Sequence, residues 1–171
     1  MRVNGYQLRE SIKKYQLELV NLERKFNKSM FRFADQEKKE HPTRLADGLL
    51  DLEQKIVRLQ TAQNEYNLAV IVNFNNKSMT LAEAVKLQGV LGRHVSRWQM
   101  FQGRDLDGEE ELVRVQRKDV TEERAKPVMN NDEVLEKVLA AEKMASTLKG
   151  VIARANSEEA PVKALADLTE L

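Results

Sequence analysis

Between Thr43 and Phe74 the chain places Leu45, Leu49, Leu52, Ile56, Leu59, Gln63, Tyr66 and Val70 in alternating steps of four and three. These are the a and d positions of a heptad, and side chains so spaced form one stripe along an α-helix that faces a neighbouring helix. Gln63 is the one polar interruption, near the edge of the stripe, where its amide reaches water. Upstream, from about Gly5, a second stripe runs through Leu8, Ile12, Tyr15, Leu19, Leu22, Phe26 and Phe33, with Ser29 in the missing place. It predicts a helix reaching to Lys39, roughly 50 Å long at about 1.5 Å per residue, and so a length match for the other. His41-Pro42 separates the two. Proline disfavours helical geometry in the residue before it and is well tolerated at the start of a helix. So short a connection predicts an antiparallel hairpin.

Asn73, Asn75 and Asn76 are expected to end the second helix, since asparagine tolerates the left-handed conformation of helix ends and turns. Thr80-Leu81-Ala82-Glu83 then has the form of a capping box. The helix it opens carries Leu81, Ala84, Val85, Leu87, Leu91, Val95, Trp98 and Phe101 on a wide apolar face. Gly89 and Gly92 weaken that helix by about 1 kcal/mol each unless they permit close packing. After the turn-forming stretch from Gly103 to Gly108, Leu112 to Arg117 alternates apolar and polar residues, the period of a strand. Such a strand needs a partner, either the Arg124 to Met129 segment around Pro127 or another subunit. Asn130 or Asn131 caps a fourth helix with the seam Val134, Val138, Ala141, Ala145, Leu148, Ile152 and Ala155.

The pattern predicts a mainly α protein, an elongated antiparallel helical bundle of four main helices. A short β element at about residues 112–129 lies between the third and fourth. Residues 1–156 are expected to form a single domain, and residues 157–171 a C-terminal short helix or a flexible tail.

Composition narrows the function classes. Aromatic residues make up 5% of the 171 and charged residues 32%, the balance of long amphipathic helices with solvated outer faces. Basic and acidic residues number 28 and 27, for a net charge of +1, so no global field favours nucleic acid or an anionic membrane. There is no cysteine, which removes disulfides, thiolate nucleophiles and thiolate metal ligands. Met1 to Gln16 lack the apolar core of a secretory signal, and no run approaches the roughly eighteen apolar residues of a membrane span. A cytoplasmic location is the expectation.

Candidate chemistry is sparse. The sequence holds no GxGxxG, P-loop, HExxH or GxSxG motif, and neither His41 nor His94 has a glutamate three residues before it, as a di-iron bundle requires. No catalytic residue, cofactor or metal is assigned, and the balance leans against an enzyme. The candidate interaction residues are His94 and Trp98 on the third helix, and Arg114, Arg117 and Lys118 in the strand-like insert. The insert's cations, which continue in Arg124 and Lys126, interleave with Asp119, Glu122 and Glu123, so ion pairing accounts for them better than phosphate binding.

Taken with the Pro42-led helix, the turn from Asn73 to Asn76, the run Met79-Thr80-Leu81-Ala82-Glu83-Ala84 and the charged insert before a last helix ending near Ala155-Asn156, the chain resembles an uncharacterised bacterial all-helical family sometimes labelled septicolysin-like. The resemblance implies the helical fold and transfers no catalytic residue. The label suggests a cytolysin, yet the chain has neither a cysteine for thiol activation nor a long apolar segment for insertion. The expected function is a non-enzymatic helical scaffold acting by self-association, as a homo-oligomer, or by docking a protein partner, because the heptad helices present more apolar stripe than one hairpin can cover. The alternative is a ligand-binding or enzymatic bundle with a pocket near His94 and Trp98, and a membrane-active cytolysin ranks third.

Overall fold

Helices start where side chains can satisfy their free backbone donors. The computed structural model describes residues 2–29, 41–102, 111–112, 124–125 and 128–165. Helix α1 (Gly5–Ser29) opens on Asn4, whose Oδ1 accepts from Gln7 N–H at 2.9 Å while Gln7 Oε1 accepts from Asn4 N–H at 3.0 Å. Helix α2 (Pro42–Ala69) begins on Pro42 itself, and His41 Nδ1 accepts from Thr43 N–H at 3.3 Å. Helix α3 (Leu81–Gln99) carries the expected capping box: Glu83 N–H donates to Thr80 Oγ1 at 3.2 Å and Thr80 N–H to Glu83 Oε2 at 2.7 Å. Helix α4 (Asn131–Ala155) has another, between Asn130 and Glu133, with bonds of 2.8 and 3.0 Å. The protein is mainly α, with these four main helices and a short β element between α3 and α4.

The chain forms two compact units, Met1–Ala84 with Val151–Leu171, and Val85–Gly150. In the first, α1 and α2 run antiparallel. Gly5 lies against Tyr66, Tyr15 against Lys55 and Leu22 against Gly48, so a step of seven along α1 from Tyr15 to Leu22 is matched by a step of seven back along α2. Every described a and d position of both helices is at least half-buried: Leu8, Ile12, Leu45, Ile56, Leu59, Tyr66 and Val70 fully, the others partly. Gln63 is half-buried among them. The part of the first stripe beyond Ser29, with Phe33, lies outside the described residues.

The second helix stops at Ala69 instead of running on to Phe74. Val70 is extended, with φ −81° and ψ 123°, and its N–H closes the last helical bond to Tyr66 at 3.0 Å. Strand β2 (Ile71–Phe74) follows, turning Val72 and Phe74 inward and Ile71 and Asn73 outward, and pairs antiparallel with β3 (Lys77–Thr80). Asn75 and Asn76, at φ 49° and 60°, supply the left-handed pair that a two-residue hairpin loop demands. The apolar spacing misled because Tyr66, Val70 and Phe74 also fall at helical intervals. A second strand pair joins β1 (Arg2–Val3) to a strand at Ala160–Pro161, with Val3 opposite Ala160. Val162 and Leu165 just beyond it are buried, and residues 166–171 lie outside the described residues.

In the second unit, strand β4 (Glu111–Leu112) finds its partner within the chain, in β5 (Arg124–Ala125). The strand at Ala160–Pro161 is thus β6. The α4 seam holds, with Val134, Val138, Ala141 and Leu148 buried and Ala145 half-buried. Gln99 Nε2 donates to Glu142 Oε1 at 2.8 Å, tying the end of α3 to the middle of α4. On α3 the apolar face is narrower than its composition suggests: Val85 is exposed, as is Phe101 just past the helix, whereas Gln88 is drawn inward beside the buried Leu91 position.

Candidate functional site

Of the sequence-predicted interaction residues, the structure brings together His94 and Trp98. One turn apart on α3, their rings meet edge to face at 6.3 Å and 88°, and Trp98 Nε1–H donates to His94 Nε2 at 3.3 Å. In this bond the imidazole Nε2 is the acceptor. His94 is exposed and Trp98 half-buried. Arg114, Arg117 and Lys118 lie outside the described residues. One polar atom in this unit stands out: Gln88 Oε1 is buried without a hydrogen-bond partner.

The most elaborate polar arrangement is one that the sequence reading assigned only to a packing seam. Tyr66 is fully buried, and its hydroxyl lies 2.7 Å from the carbonyl oxygen of Ala155 and 2.8 Å from that of Glu158. Burial raises the phenol above its ordinary pKa; a hydrogen bond from the Gly5 backbone N–H works against this and the Glu158 carboxylate adds to it. The group therefore stays a neutral donor, and with no exposed surface it serves to join chain segments, not to meet a substrate. Tyr6 reaches the same stretch, its hydroxyl donating to Ala153 O at 3.1 Å. Close by, Glu65 Oε2 accepts two successive backbone donors, Lys163 N–H at 2.9 Å and Ala164 N–H at 3.1 Å. Tyr6, Glu65 and Tyr66 thus fasten the segment from Ala153 to Ala164 to one end of the α1–α2 hairpin, and none of these bonds carried a local sequence signal.

Along the rest of the hairpin the cover thins. Tyr15, Leu19, Leu22 and Phe26 of α1, and Leu49 and Leu52 of α2, are only half-buried. Two ammonium groups stand over the Tyr15 ring, Lys14 Nζ 5.3 Å and Lys55 Nζ 5.8 Å from its centroid. On the outer faces Leu17 is 64% exposed, Val20 41%, Leu50 54% and Val57 59%, a concentration of apolar surface that one isolated hydrophobic residue would not create. Among the described residues no group of three or more His, Asp and Glu side chains is placed to hold a metal ion, and no helix is long and apolar enough to cross a membrane.

No protein-family model matches the chain, and no curated protein is similar to it. Its fold is similar to the crystal structure of a functionally unknown conserved protein from Corynebacterium diphtheriae, with a TM-score of 0.65 and 17% identity over 94% of this chain and 100% of that one.

Proposed function

We propose that this protein is a non-enzymatic helical scaffold that acts, in the cytoplasm, by self-association or by docking a protein partner along the α1–α2 hairpin. The observation that carries this is the half-open seam. Heptad positions from Tyr15 to Phe26, with Leu49 and Leu52 facing them, are apolar yet only partly covered, and further apolar side chains stand exposed beside them. Two helices alone cannot enclose a stripe flanked this way; a further helical surface completes such a core in bundles. Light scattering on the intact chain at micromolar concentration tests the self-association arm, which predicts a mass above that of one chain. If the chain is a monodisperse monomer, that arm fails.

The His94–Trp98 contact favours a second reading, a ligand site on α3. Under it, His94→Ala abolishes binding of a small molecule while leaving the helical signal intact. If the variant only lowers stability, the pair is structural.

A further inference from the structure

Asn4 and Gly5 form the only Asn-Gly pair in the chain. In such a pair the backbone nitrogen of the glycine, unshielded by a side chain on its own residue, attacks the side-chain amide carbon of the asparagine before it. Gly5 N gives its proton to water or hydroxide and bonds to Asn4 Cγ. The Cγ–Nδ2 bond then breaks, ammonia leaves and a succinimide ring closes. Water reopens the ring at either carbonyl. Breaking the new bond to Cγ yields aspartate, and breaking the original bond to the Asn4 backbone carbonyl carbon yields isoaspartate. Water is the only co-reactant, and the loss of ammonia makes the conversion one-way.

The closed fold opposes each part of this reaction. Asn4 caps α1, its Oδ1 accepting from Gln7 N–H at 2.9 Å and its own N–H donating to Gln7 Oε1 at 3.0 Å. Its amide therefore cannot rotate onto the Gly5 nitrogen without giving up the cap. Gly5 N–H is one of the donors that a helix start leaves without an intrahelical partner, and it is bonded to the Tyr66 hydroxyl, which keeps the proton in place. That hydroxyl is itself held 2.7 Å from Ala155 O and 2.8 Å from Glu158 O. Gly5 is buried in a slot where a Cβ would run into Asn156 and lie 3.0 Å from the Tyr66 ring. The backbone is pinned on either side as well: Val3 pairs with Ala160, and Tyr6 N–H donates to Asn156 O at 3.3 Å.

We propose that Asn4-Gly5 is a self-modifying site gated by Tyr66: the closed fold protects it, and each local opening around Gly5 exposes it to conversion to aspartate or isoaspartate. Attack requires the Tyr66 bond and the Gln7 cap to be released together, so the modified fraction records how long this part of the chain has stood open. Aspartate caps a helix as well as asparagine does, and that product can close again. The proposal is independent of whether the α1–α2 hairpin associates.

Peptide mapping by mass spectrometry of the intact chain, held at neutral pH and physiological temperature, tests it, with isoaspartate scored by enzymatic methylation. The folded wild type should modify Asn4 at least about tenfold more slowly than the same chain in guanidinium chloride, since opening must precede attack. Tyr66→Phe should react roughly fivefold faster than the wild type, the factor by which loss of a net hydrogen bond of about 1 kcal/mol shifts an opening equilibrium. Val138→Ala controls for general destabilisation: Val138 is buried in the other unit, and this variant should react at the wild-type rate. An unchanged far-UV circular dichroism spectrum identifies the folded variants. Should Tyr66→Phe not fold, the wild type decides alone, because local opening exposes little surface and its rate should barely change with denaturant below the unfolding transition. Four results overturn the proposal: a folded wild type as reactive as the unfolded chain, a folded Tyr66→Phe no faster than the wild type, a Val138→Ala as fast as Tyr66→Phe, or a wild-type rate that climbs with denaturant in step with the unfolded fraction.

Discussion

The Tyr66 hydroxyl, near the end of α2, hydrogen-bonds the carbonyl oxygen of Ala155, the last residue of α4, at 2.7 Å across 89 positions of sequence. It reaches the Glu158 carbonyl at 2.8 Å and accepts from Gly5 N–H. One side chain thus satisfies backbone groups at a helix start and at a helix end, both of which lack intrahelical partners. Gly5 belongs to the same arrangement: a Cβ there would run into the Asn156 side chain and lie 3.0 Å from the Tyr66 ring.

Tyr66→Phe keeps the ring and removes the hydroxyl's bonds, while Ala155 O keeps the one from Glu158 N–H at 3.1 Å. It should lower the stability of the fold by about 1 kcal/mol, the net contribution of a buried hydrogen bond, read from urea unfolding at neutral pH. An unchanged midpoint would show that water replaces the hydroxyl freely.

The same residue gives a pH dependence. Because the folded state raises the phenol above its unfolded value of about 10, the native chain keeps a proton that the unfolded chain releases in alkali. This contribution is complete below about pH 10 and is lost as the pH rises through the folded value. The wild type should therefore lose stability faster than Tyr66→Phe when both are titrated upward from neutral pH, relative to their own starting values.

Glu65 holds the C-terminal segment by accepting from Lys163 N–H and Ala164 N–H. Glu65→Ala should leave the helices in place and speed amide exchange at Lys163, Ala164 and Leu165 by at least about tenfold, the equivalent of 1–2 kcal/mol for charge-assisted bonds. Equal exchange in the two proteins would mean that the buried Val162 and Leu165 hold the segment unaided.

Gly92 meets nothing within 4 Å of where a Cβ would stand, and its neighbour in the helix, Gly89, approaches only the flexible end of Arg93. Neither serves a close contact. Gly92→Ala should therefore stabilise the protein by about 1 kcal/mol, through helix propensity and the smaller entropy of the unfolded chain, and raise the thermal midpoint by several degrees.

What could be read in advance follows from the range of each interaction. The seams of α1, α2 and α4 were legible because a 3.5-residue apolar period reports burial directly, and the Thr80–Glu83 box because it is complete within four residues. The β2–β3 hairpin was hidden by a conflict of periods: Val70, Ile71, Val72 and Phe74 satisfy a strand, while Tyr66, Val70 and Phe74 continue a helix. Asn75-Asn76 was the deciding signal, and its left-handed pair reads as a hairpin loop only once the flanking strands are recognised. The role of Tyr66 was not legible at all, since its hydrogen-bond partners are carbonyl groups, which every residue has, brought near by tertiary folding. Of the candidate site, His94 and Trp98 could be paired in advance by their spacing of four; how far Val20, Leu50 and Val57 stand exposed emerges only once α1 and α2 are packed.

The central claim is that the α1–α2 hairpin is an association surface, and Leu50, 54% exposed in the middle of it, is where that claim is most exposed to test. Sedimentation velocity from submicromolar to tens of micromolar protein, for the wild type beside Leu50→Lys, is the most direct measurement. The wild-type mass should rise from one chain to a multiple of it across the series, while the variant, with an unchanged helical spectrum, remains a single chain throughout. A wild type that stays monomeric, or a folded variant that associates as the wild type does, would contradict it.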